Sequence, residues 1–173
     1  EGLPKDDLEF GISTAASVAR HFLEKDVQTG LFANTKLADS GRPARIAPAG
    51  GTLQLADILE ALAKATAEAD GLFIDFFDHE RSELGFGGAL VFVVGRVSPE
   101  LGLLLADLTR AGRRVLGFHV GPRGQDSCAA GLQWHQVRHP GPCSDEEVDA
   151  GAAAQVGVAG TVEEAPSDDA AVA

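Results

Sequence analysis

Four side chains with metal-binding chemistry fall late in the chain: Cys128, His135, His139 and Cys143. Thiolate and imidazole are the usual zinc ligands, but strong zinc signatures carry close cysteine pairs, and no Cys-x-x-Cys occurs here. His135 and His139 on one strand would share a face yet stand well apart. They read as polar positions on a late strand and loop. A second constellation is Gly50-Gly51-Thr52, just ahead of an apolar periodic segment. Glycines followed by a hydroxyl at a helix start can hold an anion or offer oxygen to a metal. The Lys-Ser/Thr of a phosphate-binding loop is missing, so a turn with Thr52 as N-cap is the expected use. A third is Asp75-Phe76-Phe77-Asp78-His79-Glu80. Carboxylates beside an imidazole can do acid–base chemistry, but nothing supplies a nucleophile or an orienting partner. Solvated charges beside buried phenylalanines are expected instead. His21 and Glu24 read as a surface pair of one helix rather than a catalytic dyad.

The elements that must position these residues follow from periodicity. Leu8, Ile12, Ala15, Ala16, Ala19, Phe22 and Leu23 recur at helical spacing and predict a helix over 6–25, with Asp6, Asp7 and Glu9 at its positive end. A strand is predicted over 27–33. The Gly- and Pro-rich stretch 35–51 reads as loop, with room for a short edge strand at 44–47. Leu55, Ile58, Leu59 and Leu62 form the stripe of a second helix over 53–69. The interval 71–87 reads as a short helix or an irregular packed segment. The run Ala89-Leu90-Val91-Phe92-Val93-Val94 is continuous, β-branched and aromatic, which suits a strand buried on both faces. Ser98-Pro99-Glu100 then supplies N-cap, first-position proline and first-turn acid for a helix over 98–111. A strand at 114–120 completes a strand–helix–strand crossover, and a last strand is expected at 133–139.

Composition narrows the function classes. The chain has 173 residues and 45% hydrophobic content, enough to bury a core. Against 14 Lys and Arg stand 26 Asp and Glu, a formal charge of −12 that disfavours phosphate backbones and so nucleic acid. No apolar run reaches the ~18 residues of a membrane span, so direct membrane insertion by this segment is not expected. Two cysteines are too few for a disulfide scaffold and read as reduced thiols of a cytoplasmic protein. The absence of Met predicts a processed or excised fragment. From Pro140 on, Ala, Gly, Asp and Glu dominate, and no aromatic residue follows Trp134. The expected organisation is one α/β domain over 1–140 and an acidic tail over 141–173. A capping box at 144–147 can open a short helix, and disorder is expected beyond about 150.

The run 8–23, Leu-Glu-Phe-Gly-Ile-Ser-Thr-Ala-Ala-Ser-Val-Ala-Arg-His-Phe-Leu, and the later Gly95-Arg96-Val97-Ser98 carry a family resemblance. The chain resembles the actinobacterial branch of the uncharacterised von Willebrand factor A-like proteins encoded beside MoxR-type AAA+ ATPases. The resemblance covers about 6–120. It implies a three-layer, doubly wound, mostly parallel α/β sheet, von Willebrand factor A-like or Rossmann-like, in incomplete form: the central first strand lies upstream of Glu1 or is absent. Ligands of such sheets sit beyond the carboxyl ends of the strands. Classical relatives bind a divalent cation there through an Asp-x-Ser-x-Ser loop, a later threonine and a later aspartate. Thr52 matches the threonine, but Gly95 and Arg96 stand where the aspartate would fall, and a guanidinium repels a cation.

The resemblance therefore implies no functional metal site, no cofactor and no catalytic residues. It implies a protein-interaction module partnering an AAA+ ATPase or a membrane-complex subunit, with relatives anchored through an upstream segment. The alternative is a small-ligand-binding or hydrolytic α/β domain. In both, Thr52, Arg96 and Ser98 are the candidate contacts at the sheet end. With the central strand missing, the strands at 27–33 and 89–94 would flank an empty slot, and direct closure or marginal folding is expected.

Overall fold

The computed structural model describes residues 5–81, 84, 88–120 and 133–137. Helix α1 (Lys5–Leu23) presents Leu8, Ala15, Ala19 and Leu23 as one buried stripe. It stops in a left-handed turn at Asp26, φ 58°. There Val27 N–H bonds to Phe22 C=O at 3.0 Å and Asp26 N–H to Leu23 C=O at 3.1 Å. That is the Schellman pattern, with Asp in the place usually taken by Gly. Strand β1 (Thr29–Leu37) then pairs antiparallel with β2 (Pro43–Ala49), Phe32 opposite Arg45 and Leu31 opposite Ile46. The hairpin needs Gly30: a Cβ there would stand 2.6 Å from Ile46 O and 2.8 Å from Pro48 N, both backbone atoms.

Helix α2 (Thr52–Ala63) is followed by β3 (Ala65–Ala69), which pairs antiparallel with the carboxyl end of β1, Thr35 opposite Ala69 and Leu37 opposite Ala65. The predicted helix over 53–69 is therefore too long. The alanine-rich segment is drawn into a ladder by hydrogen bonds that helix propensity does not count. Ala38 N–H reaches Lys64 C=O at 2.8 Å, and the Thr66 hydroxyl reaches Lys36 C=O at 2.9 Å. For the same reason β1 continues through Thr35–Leu37, where the sequence reads as loop, and β2 takes seven further residues of that stretch, Pro43–Ala49.

Helix α3 (Phe73–Glu80) occupies the ambiguous interval. It buries Phe73, Phe76, Phe77 and Glu80, while Asp75, Asp78 and His79 are exposed. Strand β4 (Leu90–Val94), helix α4 (Pro99–Arg110), strand β5 (Val115–Val120) and strand β6 (Gln133–Val137) follow. The three strands are parallel in the order β4-β5-β6. Leu90–Val94 is buried throughout, at 0–1% exposure, although it forms the edge of this ladder.

The chain is thus an α/β protein with two three-stranded sheets among the described residues, β2-β1-β3 and β4-β5-β6. Direct pairing of β1 with β4 does not occur. One reason is local: β3 already holds the carboxyl end of the β1 edge through Thr35 and Leu37. Both strands nevertheless feed the same two apolar clusters. Leu31, Ala33 and Val93 meet α1 and α2 in one, and Phe32, Phe92 and Val94 meet α3 and α4 in the other. No helix among the described residues is long and apolar enough to cross a membrane. The 141–173 tail and the capping box lie outside the described residues.

Candidate functional site

A cleft of about 330 Å³ lies between the interior of β1, the end of β3 and the segment that follows β4. Asn34 and Ala69 line it from the first sheet, Gly71–Asp75 from the approach to α3, and Arg96, Ser98 and Glu100 from the segment after β4. Asn34 is 1% exposed, an amide that follows the apolar run Leu31-Phe32-Ala33 and precedes buried Thr35. Its main-chain oxygen accepts from Asp70 N–H at 3.0 Å, and its side-chain Nδ2 donates to Gly71 C=O at 3.2 Å. These bonds fix the turn into α3, where Gly71 takes the left-handed φ of 85° that disfavours a side chain. The Oδ1 of Asn34 has no partner among the described residues, and neither has the Oγ1 of fully buried Thr35. Buried acceptors left without donors are costly and uncommon.

Ser98 caps α4 as the sequence predicts. Its Oγ accepts from Leu101 N–H at 3.2 Å. The Glu100 carboxyl is held below its ordinary range by its own backbone N–H and then by the Ser98 hydroxyl. Ser98 therefore both accepts and donates within the first turn, so its role here is to fix the helix start. Arg96 is exposed at the cleft. Leu72, 71% exposed, sits at its mouth.

The structure thus brings Arg96 and Ser98 together and leaves Thr52 outside the cleft lining. Thr52 is also not the cap of α2. Gly51 holds that position at φ 89°, and no side-chain cap bond forms. The helix is anchored instead by Gln54, whose Nε2 donates to Thr29 C=O at 2.6 Å and to Ala47 C=O at 2.8 Å.

Other candidates resolve differently. Glu24 pairs with Arg20 at 2.7 Å rather than with His21. In the acidic segment, Glu80 departs from expectation. It is 3% exposed, and its carboxylate accepts from Arg45 Nε at 2.6 Å. His135 lies exposed on β6, its ring 5.5 Å from that of Phe118. Cys128, His139 and Cys143 fall outside the described residues. Among the described residues no group of three or more His, Cys, Asp or Glu side chains is placed to hold a metal ion.

Sequence reading missed Asn34 and the Arg45–Glu80 pair. The signal for Asn34 was present: a polar Asn-Thr pair directly follows Leu31-Phe32-Ala33, and a polar residue that a strand buries is the informative kind. Chemically the cleft lining holds a buried amide, a guanidinium, carboxylates, a hydroxyl committed to the first turn of α4 and an apolar lip, a set that can bind. No family model, no curated protein and no solved structure matches the chain.

Proposed function

We propose that the chain is a protein-interaction module, a degenerate von Willebrand factor A-like domain without a functional metal site. In this reading its two sheets belong to one incomplete, three-layer, doubly wound arrangement. The partner, an AAA+ ATPase or a membrane-complex subunit, docks at the carboxyl ends of β1 and β4. One observation carries the proposal: Asn34, whose buried Oδ1 has no partner among the described residues, lines a cleft that also holds a largely exposed leucine, Leu72. A partner main-chain or side-chain N–H would satisfy the amide oxygen, and its apolar neighbours would cover the leucine. Arg96, exposed at the same cleft, makes a hard cation the less suitable guest.

A photo-crosslinker at position 72 in the producing cell tests this. The expected result is one discrete protein adduct that Asn34→Leu abolishes while the fold is retained. The volume of about 330 Å³ also lies at the lower end for small-molecule sites, which gives the small-ligand reading its footing. A thermal-shift panel of nucleotides, divalent cations and small metabolites separates the two. A clear shift with one small molecule, absent in Asn34→Leu, would replace the interaction reading.

A further inference from the structure

We infer that the partner group received in this cleft is a primary carboxamide, the side chain of a glutamine or an asparagine. The inference rests on the docking reading above and narrows it to one chemical group. It starts from Asn34, which lines the cleft and is 1% exposed. The Nδ2 of Asn34 donates to Gly71 C=O at 3.2 Å, while its Oδ1 is buried and unpartnered among the described residues. What Asn34 lacks is a donor.

The start of α3 lacks the opposite. Leu72 is its N-cap, and no side-chain cap bond forms there. The Phe76 N–H bonds to Leu72 C=O at 3.1 Å. The N–H groups of Phe73, Ile74 and Asp75, ahead of it, have no acceptor within the helix, and these three residues line the cleft. The start of α4, in the same lining, is already closed by the Ser98 Oγ, which accepts from Leu101 N–H at 3.2 Å. The two needs are neighbours. Asn34 is bonded through its side chain to Gly71 and through its main chain to Asp70, and Gly71-Leu72 leads directly into Phe73.

A guest must then offer a donor and an acceptor side by side. An ammonium has no acceptor, and a carboxylate has no donor. The cleft also carries both signs of charge: Arg96 opposes an ammonium, and Asp75 and Glu100 oppose a carboxylate. A trans peptide group turns its N–H and C=O to opposite sides. A primary carboxamide presents both on one edge, the geometry by which Asn and Gln pair with adenine. In the cleft its N–H donates to Asn34 Oδ1, and its C=O accepts from the first turn of α3. Its methylene stem lies against Ala69 and Leu72, and so covers a leucine that is 71% exposed.

NMR titration of the 173-residue chain tests this with three probes of similar size: propionamide, propionate and propylammonium. Propionamide should shift the Asn34 side-chain amide and the Ile74 and Asp75 main-chain amides. Either ion should bind at least about fivefold more weakly, since each leaves one side of the site unmet. Equal or stronger binding of an ion overturns the carboxamide, and so does the absence of a shift with all three. The crosslinker at position 72 keeps the two readings apart. A discrete protein adduct without preference for propionamide retains the docking site and overturns the carboxamide. A preference for propionamide without any adduct overturns the docking reading, and with it the side-chain source of the amide.

Discussion

Replacing Arg45 by Met tests what holds α3 against the β1–β2 hairpin. Glu80 places a carboxylate with 4% side-chain exposure on α3, and Arg45 of β2 meets it through Nε at 2.6 Å. The same guanidinium lies 5.6 Å from the ring centroid of Phe76, one turn earlier on α3. Breaking a fully buried pair from one side costs about 3–5 kcal/mol, because the remaining charge is stranded. Here the Arg45 side chain is 45% exposed, and solvent screening reduces that to about 2–3 kcal/mol. The lost contact with Phe76 adds roughly 0.5 kcal/mol. For a chain of this size about 3 kcal/mol lowers the melting temperature by roughly 6–12 °C. Circular dichroism melts and urea titrations of Arg45→Met read the effect directly. The double variant Arg45→Met with Glu80→Leu removes the stranded carboxylate and should recover most of the loss. A shift of about 1 °C or less in the single variant, or a double variant as unstable as the single, would refute the assignment.

Three further outcomes are expected. Gly30→Ala forces a methyl against Ile46 O and Pro48 N, backbone atoms that yield only if the hairpin parts. It should cost about 2–3 kcal/mol in the urea midpoint with little change in slope. Ser98→Ala removes the cap of α4 and should cost about 1 kcal/mol, whereas Ser98→Asp should restore most of it, as read by chemical denaturation. The Asp39 carboxyl is held below its ordinary range by Lys64. Its small, solvent-screened contribution is therefore complete above the unfolded value of about 4 and is lost as pH falls through the folded value. In melts taken from neutral pH downward, the gap between wild type and Asp39→Asn should close below about pH 4; a gap that widens there would reverse the sign.

The parts legible in the sequence are those where local and tertiary preferences agree. The Leu90–Val94 run has no polar residue to expose, and Ser98-Pro99-Glu100 carries the complete chemistry of a helix start. The boundary of α2 was illegible because Ala61-Leu62-Ala63-Lys64-Ala65 favours helix throughout. What ends the helix is a set of bonds to Lys36, Ala38 and the end of β1, about thirty residues earlier in the chain. Arg96 and Ser98 were named from the rule that sheet ends collect ligands, and the structure sets both in the lining of one cleft. Asn34 was harder, since the group that fixes it, Gly71 C=O, lies 37 residues away. Glu80 looked like surface charge because its partner, Arg45, comes from a hairpin read mainly as loop.

Two of these departures meet in β1, where Asn34 and Thr35 follow one another. Asn34 Oδ1 and Thr35 Oγ1 are buried, and both are unpartnered among the described residues. Consecutive strand residues face opposite sides of a sheet, so one site does not serve both. Satisfied polar groups are the rule in buried sheets, and of these two residues only Asn34 lines the cleft. In the proposed docking the partner's donor therefore comes from the cleft side, where Arg96 and Ser98 also stand.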